Sequence, residues 1–255
     1  MWKRLKEQDG DNDKLLPFTA REKRYLIAKS ILIVLFLDYF FYRSLCAVIP
    51  LSGLGYCYYQ FEKKVLFQKK KEQAKEQFKE LMLLAATGQK AGYSAENAFL
   101  SSYQDLSVLF GKDSAVCRMV KVLKSGRENN IAFSKLWQKI GGELQITEII
   151  EFAQVYEISQ KSSGNLASVM EKTADIIVQK IETEKEIAVL LSARRLEQKI
   201  MNVMPFLMLL YVSATSPGYF NGMYHSLSGA VFMSVCLLIY LGAYVLSIRM
   251  ISIEI

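Results

Sequence analysis

The sequence predicts an all-α membrane protein in which an antiparallel bundle of about six helices lies between two transmembrane helical hairpins. Long apolar runs occur near both ends of the 255-residue chain. The segment between them has helical periodicity and lacks the alternating, β-branched pattern of strands. With 51% hydrophobic and 22% charged residues, the chain is neither disordered nor composed almost entirely of membrane helices.

Two apolar runs, 26–42 and 45–61, follow a polar N-terminal tail, 1–25, and are separated by Arg43 and Ser44. Each run has about 17 residues, the lower limit for crossing a hydrocarbon core of ~30 Å. No small-residue cleavage site separates them, which argues against a secretory signal peptide. We therefore expect a first transmembrane hairpin over 26–61.

A second pair of apolar runs, 200–216 and 227–248, lies near the C-terminus and precedes a short tail, 249–255. The turn between them begins at Pro217 and carries no formal charge. Pro205 lies inside the third run, where we expect it to kink the helix. These features predict a second transmembrane hairpin over 200–248.

Positive charge predicts the orientation of these spans. The short loops inside the two hairpins contain Arg43 as their one basic residue. The other membrane-proximal basic residues flank the spans on the opposite side: Arg21, Lys23, Arg24, Lys29, Lys63, Lys64, Lys69, Lys70, Lys71, Arg194, Arg195, Lys199 and Arg249. By the positive-inside rule, both termini and the middle segment, 62–199, are expected in the cytoplasm of a multi-pass inner (plasma) membrane protein.

The net charge of +7 is therefore explained largely by topology and by attraction to anionic lipid head groups. A nucleic-acid interface would need basic residues interleaved with aromatic residues on a soluble face. The basic clusters lie at membrane edges instead, so we predict no nucleic-acid partner.

The middle segment reads as a series of amphipathic helices. A helix from Gln73 ends at Gly92, and Tyr93 and Ser94 follow, with Ser94 as N-cap of a short helix that turns Ala98 and Phe99 inward. Further helices are expected over 114–124, 130–140 and 145–160, with breaks at 111–113, 126–129 and 141–142.

The last helix of this segment is expected to continue into the third span. It starts at Gly164 and Asn165, with Asn165 as N-cap, and no glycine or proline interrupts it from Leu166 to Met204. Such a helix rises on the order of 55–60 Å. We expect a stiff connection between the cytoplasmic domain and the membrane.

The sequence offers no constellation of residues for catalysis. His225 is the one histidine, and it lies in a predicted outer loop without neighbouring ligands. The four cysteines lack metal-ligand spacing and are expected to be small apolar residues: Cys46, Cys57, Cys117 and Cys236. We predict no catalytic residue, metal or cofactor, and no enzymatic activity.

Six acidic residues have two possible interpretations each. Asp38 is the one acid inside a predicted span, where ionisable groups are often functional, but it lies near Arg43, with which it could pair. The others form an acidic face that is either solvated or a surface for a basic partner: Glu171, Asp175, Glu182, Glu184 and Glu186.

Several segments resemble the type II secretion system F family, most closely the TadB/TadC proteins of Flp (Tad) pilus assembly. The residues that carry this resemblance are 78–84, 91–99, 163–174, Pro205 and the turn at 216–219. The similarity extends over about residues 70–248 and involves features of fold rather than of activity.

The resemblance implies an inner-membrane platform protein of a type IV-like pilus or type II secretion machine. In that family the cytoplasmic domain is a six-helix bundle above a hexameric secretion ATPase, whose motion is passed to pilin subunits leaving the membrane. Some members contain two copies of the domain. This chain has one, which implies pairing with itself or with a paralogous platform subunit.

Two other classes of protein remain as alternatives. A membrane subunit of a transporter or permease complex would usually place paired polar or ionisable residues in several spans, whereas Asp38 is the one acid in these spans. A membrane enzyme would need an acid–base pair, and none is evident. The sequence therefore favours the platform protein over both.

Overall fold

The computed structural model describes residues 15–41, 48–161, 166–216, 218 and 227–252. Helix accounts for nearly all of these residues, and no strand occurs among them. The helices are α1 (Ala20–Phe41), α2 (Val48–Lys90), α3 (Ala95–Ser101), α4 (Tyr103–Phe110), α5 (Ala115–Glu128), α6 (Phe133–Leu144), α7 (Thr147–Lys161), α8 (Leu166–Thr215) and α9 (Leu227–Ser252). The predicted all-α class is confirmed.

The chain forms two compact units. Unit 1 comprises Val65–Glu186 and the chain up to Thr19, and unit 2 comprises Ala20–Lys64 and the residues from Ile187 onward. The long helices α2 and α8 contribute residues to both units.

Unit 1 has a closed core built around aromatic side chains. Trp137 of α6 is fully buried, and its ring centroid lies 5.2 Å from that of Phe99 and 5.3 Å from that of Phe152. Phe78 and Tyr156 are buried in the same cluster. These rings meet in tilted or edge-to-face geometry, which stabilises aromatic pairs.

The early and the late parts of unit 1 both contribute to this core. Leu15 and Leu16 are buried, and the Arg118 side chain donates a hydrogen bond to the Leu15 carbonyl at 2.9 Å. Apolar residues of α8, including Ile177 and Ile181, are buried against the same cluster. The core therefore needs segments from well before α2 and from α8.

The predicted connection between α2 and α3 is confirmed. Gly92 has a positive φ of 94°, and the Tyr93 N–H donates to the Gly88 carbonyl at 3.1 Å, which closes the end of α2. Ser94 accepts a hydrogen bond from the Asn97 N–H at 3.4 Å, as an N-cap does. Ala98 and Phe99 are fully buried, as expected.

Some predicted boundaries within unit 1 were wrong. The helix expected to start at Gln73 is part of α2, which begins at Val48, because residues 62–72 contain no glycine or proline to end it. A separate short helix, α4, was not predicted. It buries Leu106 alone, so its apolar periodicity is weak.

The breaks predicted at 126–129 and 141–142 exist but lie further along the chain, because Gly126 and Gly141 are inside helices that end at Glu128 and Leu144. A Cβ at Gly126 would lie 2.4 Å from Leu136 Cδ1, and one at Gly141 would lie 3.1 Å from the Ile150 backbone nitrogen. Both glycines permit close helix packing. The chain turns instead at Gln145, which has a positive φ of 55°.

We predict that Gly141→Ala destabilises the protein and that Gly142→Ala does not. The alanine at 141 would force the α7 backbone aside, at a cost of about 1–3 kcal/mol. A Cβ at Gly142 meets nothing within 4 Å, so alanine there should stabilise α6 by roughly 0.5–1 kcal/mol. Urea unfolding of the full chain in detergent micelles measures both effects. Equal stabilities of the two variants would contradict the close packing.

Unit 2 contains α1, α9 and parts of α2 and α8. Its small core consists of Val34, Leu37, Leu51, Met233 and Leu237, and Phe206 of α8 packs against this core. Ser30 Oγ of α1 donates to the Gly55 carbonyl at 2.7 Å, and a Cβ at Gly55 would lie 2.6 Å from Val34 Cγ2. Lys29 forms an ion pair with Glu62. By these contacts, α1 and the first part of α2 run antiparallel.

Polar contacts between α8 and α9 show that these two helices also run antiparallel. Gln198 Nε2 donates to Ser247 Oγ at 2.7 Å, and the Tyr240 hydroxyl donates to the Asn202 carbonyl at 3.1 Å. The turns expected inside the two hairpins, 42–47 and nearly all of 217–226, lie outside the described residues.

One segment of the described residues, Val231–Arg249 in α9, is long and apolar enough to cross a membrane. Few of its side chains are buried. The other three predicted spans do not reach the same length and apolarity within the described residues. Membrane association is thus supported at α9, and the four-span topology stays a prediction.

Candidate functional site

A network of ion pairs joins α2, α7 and α8 inside unit 1. We call it the charged seam. It consists of Lys75, Glu76 and Lys79 of α2, Glu148 and Glu151 of α7, and Lys180, Glu182, Glu184 and Lys185 of α8.

The centre of the seam is a buried pair between Lys75 and Glu148. Lys75 Nζ lies 3.0 Å from Glu148 Oε1, and the two side chains are 11% and 6% exposed. Lys75 also bonds Glu184, and Lys180 Nζ lies 3.3 Å from Glu148 Oε1. Each buried charge therefore has opposite charges on two different residues, which burial of ions requires.

Local structure explains why these residues can be charged here. Glu148 lies in the first turn of α7, where the helix dipole favours a negative charge. On α2, Phe78 and Leu81 enter the core, while Lys75 lies on an adjacent side that faces both α7 and α8. Lys180 and Glu184 are one turn apart on α8 and approach the same carboxylate–ammonium pair.

The ionisation of the central pair follows from these contacts. Burial opposes the charge on Glu148, but hydrogen bonds from its own backbone N–H and from Lys75 outweigh burial and lower its pKa. Burial likewise opposes the charge on Lys75, but hydrogen bonds to Glu184 and Glu148 raise its pKa. Both groups are therefore held in their charged forms.

The carboxylates in the outer part of the seam are more exposed. Glu76 and Glu182 are 33% and 55% exposed, although the Lys79 side chain, at 10%, is as buried as that of Lys75. Lys79 Nζ lies 3.1 Å from Glu76 Oε1 and 3.7 Å from Glu182 Oε1, and Lys185 Nζ lies 3.0 Å from Glu76 Oε1. Solvent-exposed pairs contribute about 0–1 kcal/mol each. The buried centre is therefore expected to dominate the energetics of the seam.

We predict that the seam stabilises unit 1 between about pH 5 and pH 10. The pKa of Glu148 is lowered from 4.5, so its contribution is present above that pH and is lost as the pH falls through the lowered value. The pKa of Lys75 is raised from 10.5, so its contribution is present below that pH and is lost as the pH rises through the raised value. Urea midpoints across a pH series measure this, with Glu148→Gln as the comparison. The prediction is contradicted if the urea midpoints of the two proteins fall in the same way as the pH is lowered.

Three of the five residues of the predicted acidic face have partners within unit 1. Glu171 pairs with Lys90 at 2.7 Å, and Glu182 and Glu184 belong to the charged seam. Asp175 and Glu186 are exposed. An acidic surface for a basic partner stays a prediction, with fewer unpaired carboxylates than the sequence suggested.

The remaining predicted residues are scattered. Gly164, Asn165 and His225 lie outside the described residues. Asp38 has one buried carboxylate oxygen without a hydrogen-bond partner in the described part of the chain, and Arg43, its expected partner, lies outside that part. Pro205 lies within α8, which continues to Thr215, and the hydrogen bond from Tyr240 to Asn202 is in the turn before it.

Sequence reasoning did not identify Lys75 or Glu148 as members of a site. Lysine is seldom buried, so from the sequence alone Lys75 looks like a residue on a solvated helix face. One usable signal was the position of Glu148 just after a turn, at the start of an amphipathic helix.

The described residues thus define an all-helical protein with two compact units, an internal ion-pair network and a candidate membrane helix. No group of three or more His, Cys, Asp or Glu side chains in the described ranges could hold a metal ion. Comparison of the chain with protein-family models, curated proteins and solved structures gave no match.

Proposed function

We propose that the chain is an inner-membrane platform protein of a Tad-like pilus or type II secretion machine. It couples a cytoplasmic hexameric ATPase to the extraction of pilin subunits. The observation that carries this proposal is that α2 and α8, of 43 and 50 residues, each contribute to both compact units without interruption. A continuous helix resists bending, so displacement of one part is transmitted to the other.

The charged seam has a defined role in this proposal. It bonds α8 to α2 and α7 through Lys75, Lys180 and Glu184. Force applied to unit 1 by the motor then moves both long helices together. A paralogous subunit or a second copy of the chain completes the platform.

Exposed apolar side chains in unit 2 support the multi-pass membrane arrangement. Leu190, Met201 and Met208 of α8 are each more than two-thirds exposed, as is Leu238 of α9. An apolar surface of this extent is unfavourable in water and is expected to face lipid or another membrane protein. The basic residues that flank the predicted spans favour cytoplasmic termini and a cytoplasmic unit 1.

Substitution of Ile187 tests the transmission of force. Ile187 lies in the interior of α8 and is half-exposed, so proline there disrupts the helix, at about 3 kcal/mol, while Ile187→Ala preserves it. We expect Ile187→Pro to abolish filament assembly with unchanged protein level and membrane insertion, and Ile187→Ala to assemble filaments normally. Normal filaments with Ile187→Pro would refute the proposal.

A labelling experiment tests the orientation. In a chain whose four cysteines are replaced by serine, Val108→Cys introduces a thiol at a position that is 82% exposed in unit 1. A membrane-impermeant maleimide should label this thiol only after the inner membrane is permeabilised. Labelling in intact spheroplasts would place unit 1 outside the cytoplasm and would refute the topology.

One observation favours the alternative of a transporter subunit. The unpartnered buried oxygen of Asp38 lies in a predicted span, where such groups often mark ion or substrate paths. Asp38→Asn distinguishes the two functions. A platform protein should retain filament assembly with this substitution, whereas a transporter subunit should lose transport.

A further inference from the structure

A groove on the surface of unit 1 combines an apolar floor with a basic rim. It has a volume of about 590 Å³ and lies between α3, α4 and α5. Leu100, Tyr103 and Val120 line its floor, and Tyr93 lines one side. Val120 is almost completely buried beneath it, whereas Tyr93 is 57% exposed. The groove is therefore a recess that a side chain of a partner can enter.

Two lysines line the rim of the groove. Lys121 and Lys124 of α5 are exposed and form no ion pair within the described part of the chain. Lys121 Nζ lies 5.9 Å from the centroid of the Tyr103 ring and 3.5 Å from the Lys112 carbonyl oxygen. In the charged seam, by contrast, Lys75, Lys79 and Lys180 each contact a carboxylate.

We propose that this lysine-rimmed groove binds an acidic peptide segment of a partner protein. An aromatic or aliphatic side chain of the segment fills the recess over Val120, and two of its carboxylates contact Lys121 and Lys124. The two lysines are three residues apart on one helix, so their Cβ atoms are about 5–6 Å apart. That spacing suits carboxylates one helical turn apart in a bound segment. The inference concerns the surface of unit 1 and does not rest on the proposed function.

The shape of the groove favours a peptide over a lipid surface or a nucleotide. A bilayer is contacted by apolar side chains that project, whereas the apolar residues here line a recess. Nucleotide phosphates are usually held by free backbone N–H groups at a helix N-terminus or glycine-rich loop. At the nearest helix start, Ser94 already accepts a hydrogen bond from the Asn97 N–H.

The test measures peptide binding to the full chain in nanodiscs of phosphatidylcholine. The probe is a fluorescein-labelled synthetic peptide in which leucine and phenylalanine alternate with glutamate, and a matched peptide has lysine in place of glutamate. We expect saturable binding of the acidic peptide, at least tenfold tighter than binding of the basic one. The double variant Lys121→Glu with Lys124→Glu should bind the acidic peptide at least tenfold more weakly.

The control variant carries the same change in charge elsewhere on unit 1. Lys135→Glu with Lys139→Glu alters two exposed lysines of α6 and should change the affinity less than twofold. Circular dichroism shows whether both variants are folded. The proposal is overturned if the acidic peptide does not bind saturably, or if both double variants lower the affinity for this peptide equally. It is also overturned if the groove lysines are needed instead for binding ATP or phosphatidylglycerol vesicles.

Discussion

Lys75→Met is expected to lower the free energy of unfolding by about 3 kcal/mol. The substitution retains the apolar stem of the side chain but removes the charge that faces Glu148 and Glu184. Removal of one partner from a buried pair is costly because the other charge stays buried without its counterion. In the variant, Lys180 can still neutralise Glu148, because its Nζ lies 3.3 Å from Glu148 Oε1. We therefore expect a loss at the lower end of the range of about 3–5 kcal/mol for breaking a buried ion pair.

Two further variants separate this explanation from a general loss of charge. Lys185→Met removes an exposed lysine from the same seam and should cost less than about 1 kcal/mol. Lys75→Met combined with Glu148→Met should be more stable than Lys75→Met alone, because no buried carboxylate is left unpaired. Urea unfolding of the full chain, followed by tryptophan fluorescence in a Trp2→Phe background, measures these differences. Similar losses for Lys75→Met and Lys185→Met would refute a dominant buried centre.

Trp137→Ala is expected to destabilise the protein by about 3–5 kcal/mol. The side chain is fully buried and contacts Phe78, Phe99 and Phe152 in edge-to-face geometry. Alanine leaves a large cavity at the centre of unit 1 and removes these aromatic contacts. Because Trp137 supplies the fluorescence signal of unit 1, circular dichroism has to follow the unfolding of this variant.

Trp137→Phe is the matched control. The indole Nε1 is buried and has no hydrogen-bond partner among the residues that the structure describes, so phenylalanine removes no hydrogen bond. We expect this variant to lose less than about 1.5 kcal/mol, since the change is hydrophobic and mostly preserves volume. A loss as large as that of Trp137→Ala would show that the indole nitrogen has a partner or that the core tolerates no reduction in ring size.

The sequence predicted the fold best where local chemistry decides the structure. Gly92 and Ser94 end one helix and begin the next through backbone conformation and a side-chain cap, both of which depend on neighbouring residues alone. The length of α8 was predicted because no glycine or proline interrupts Leu166–Met204. Gly126 and Gly141 were misassigned as helix ends because their role depends on Leu136 and Ile150 across a helix interface, which no local pattern reveals.

The candidate site was less predictable because it depends on tertiary contacts. Lys75, Glu148 and Glu184 are far apart in sequence, and each looks like an ordinary solvated residue in its own helix. The acids Glu182 and Glu184 were noticed as a face of α8, but their partners on α2 were not. Burial of a lysine follows from the packing of three helices, which requires the three-dimensional structure.

The composition of the unit 1 core has a consequence for biosynthesis. Leu15 and Leu16 leave the ribosome first, whereas Ile177 and Ile181 emerge only after α2 to α7 have been made. Contacts between such distant segments require closure of a long loop, which slows folding. Complete folding of this unit therefore has to wait for late translation, and until then the apolar residues of its core are exposed.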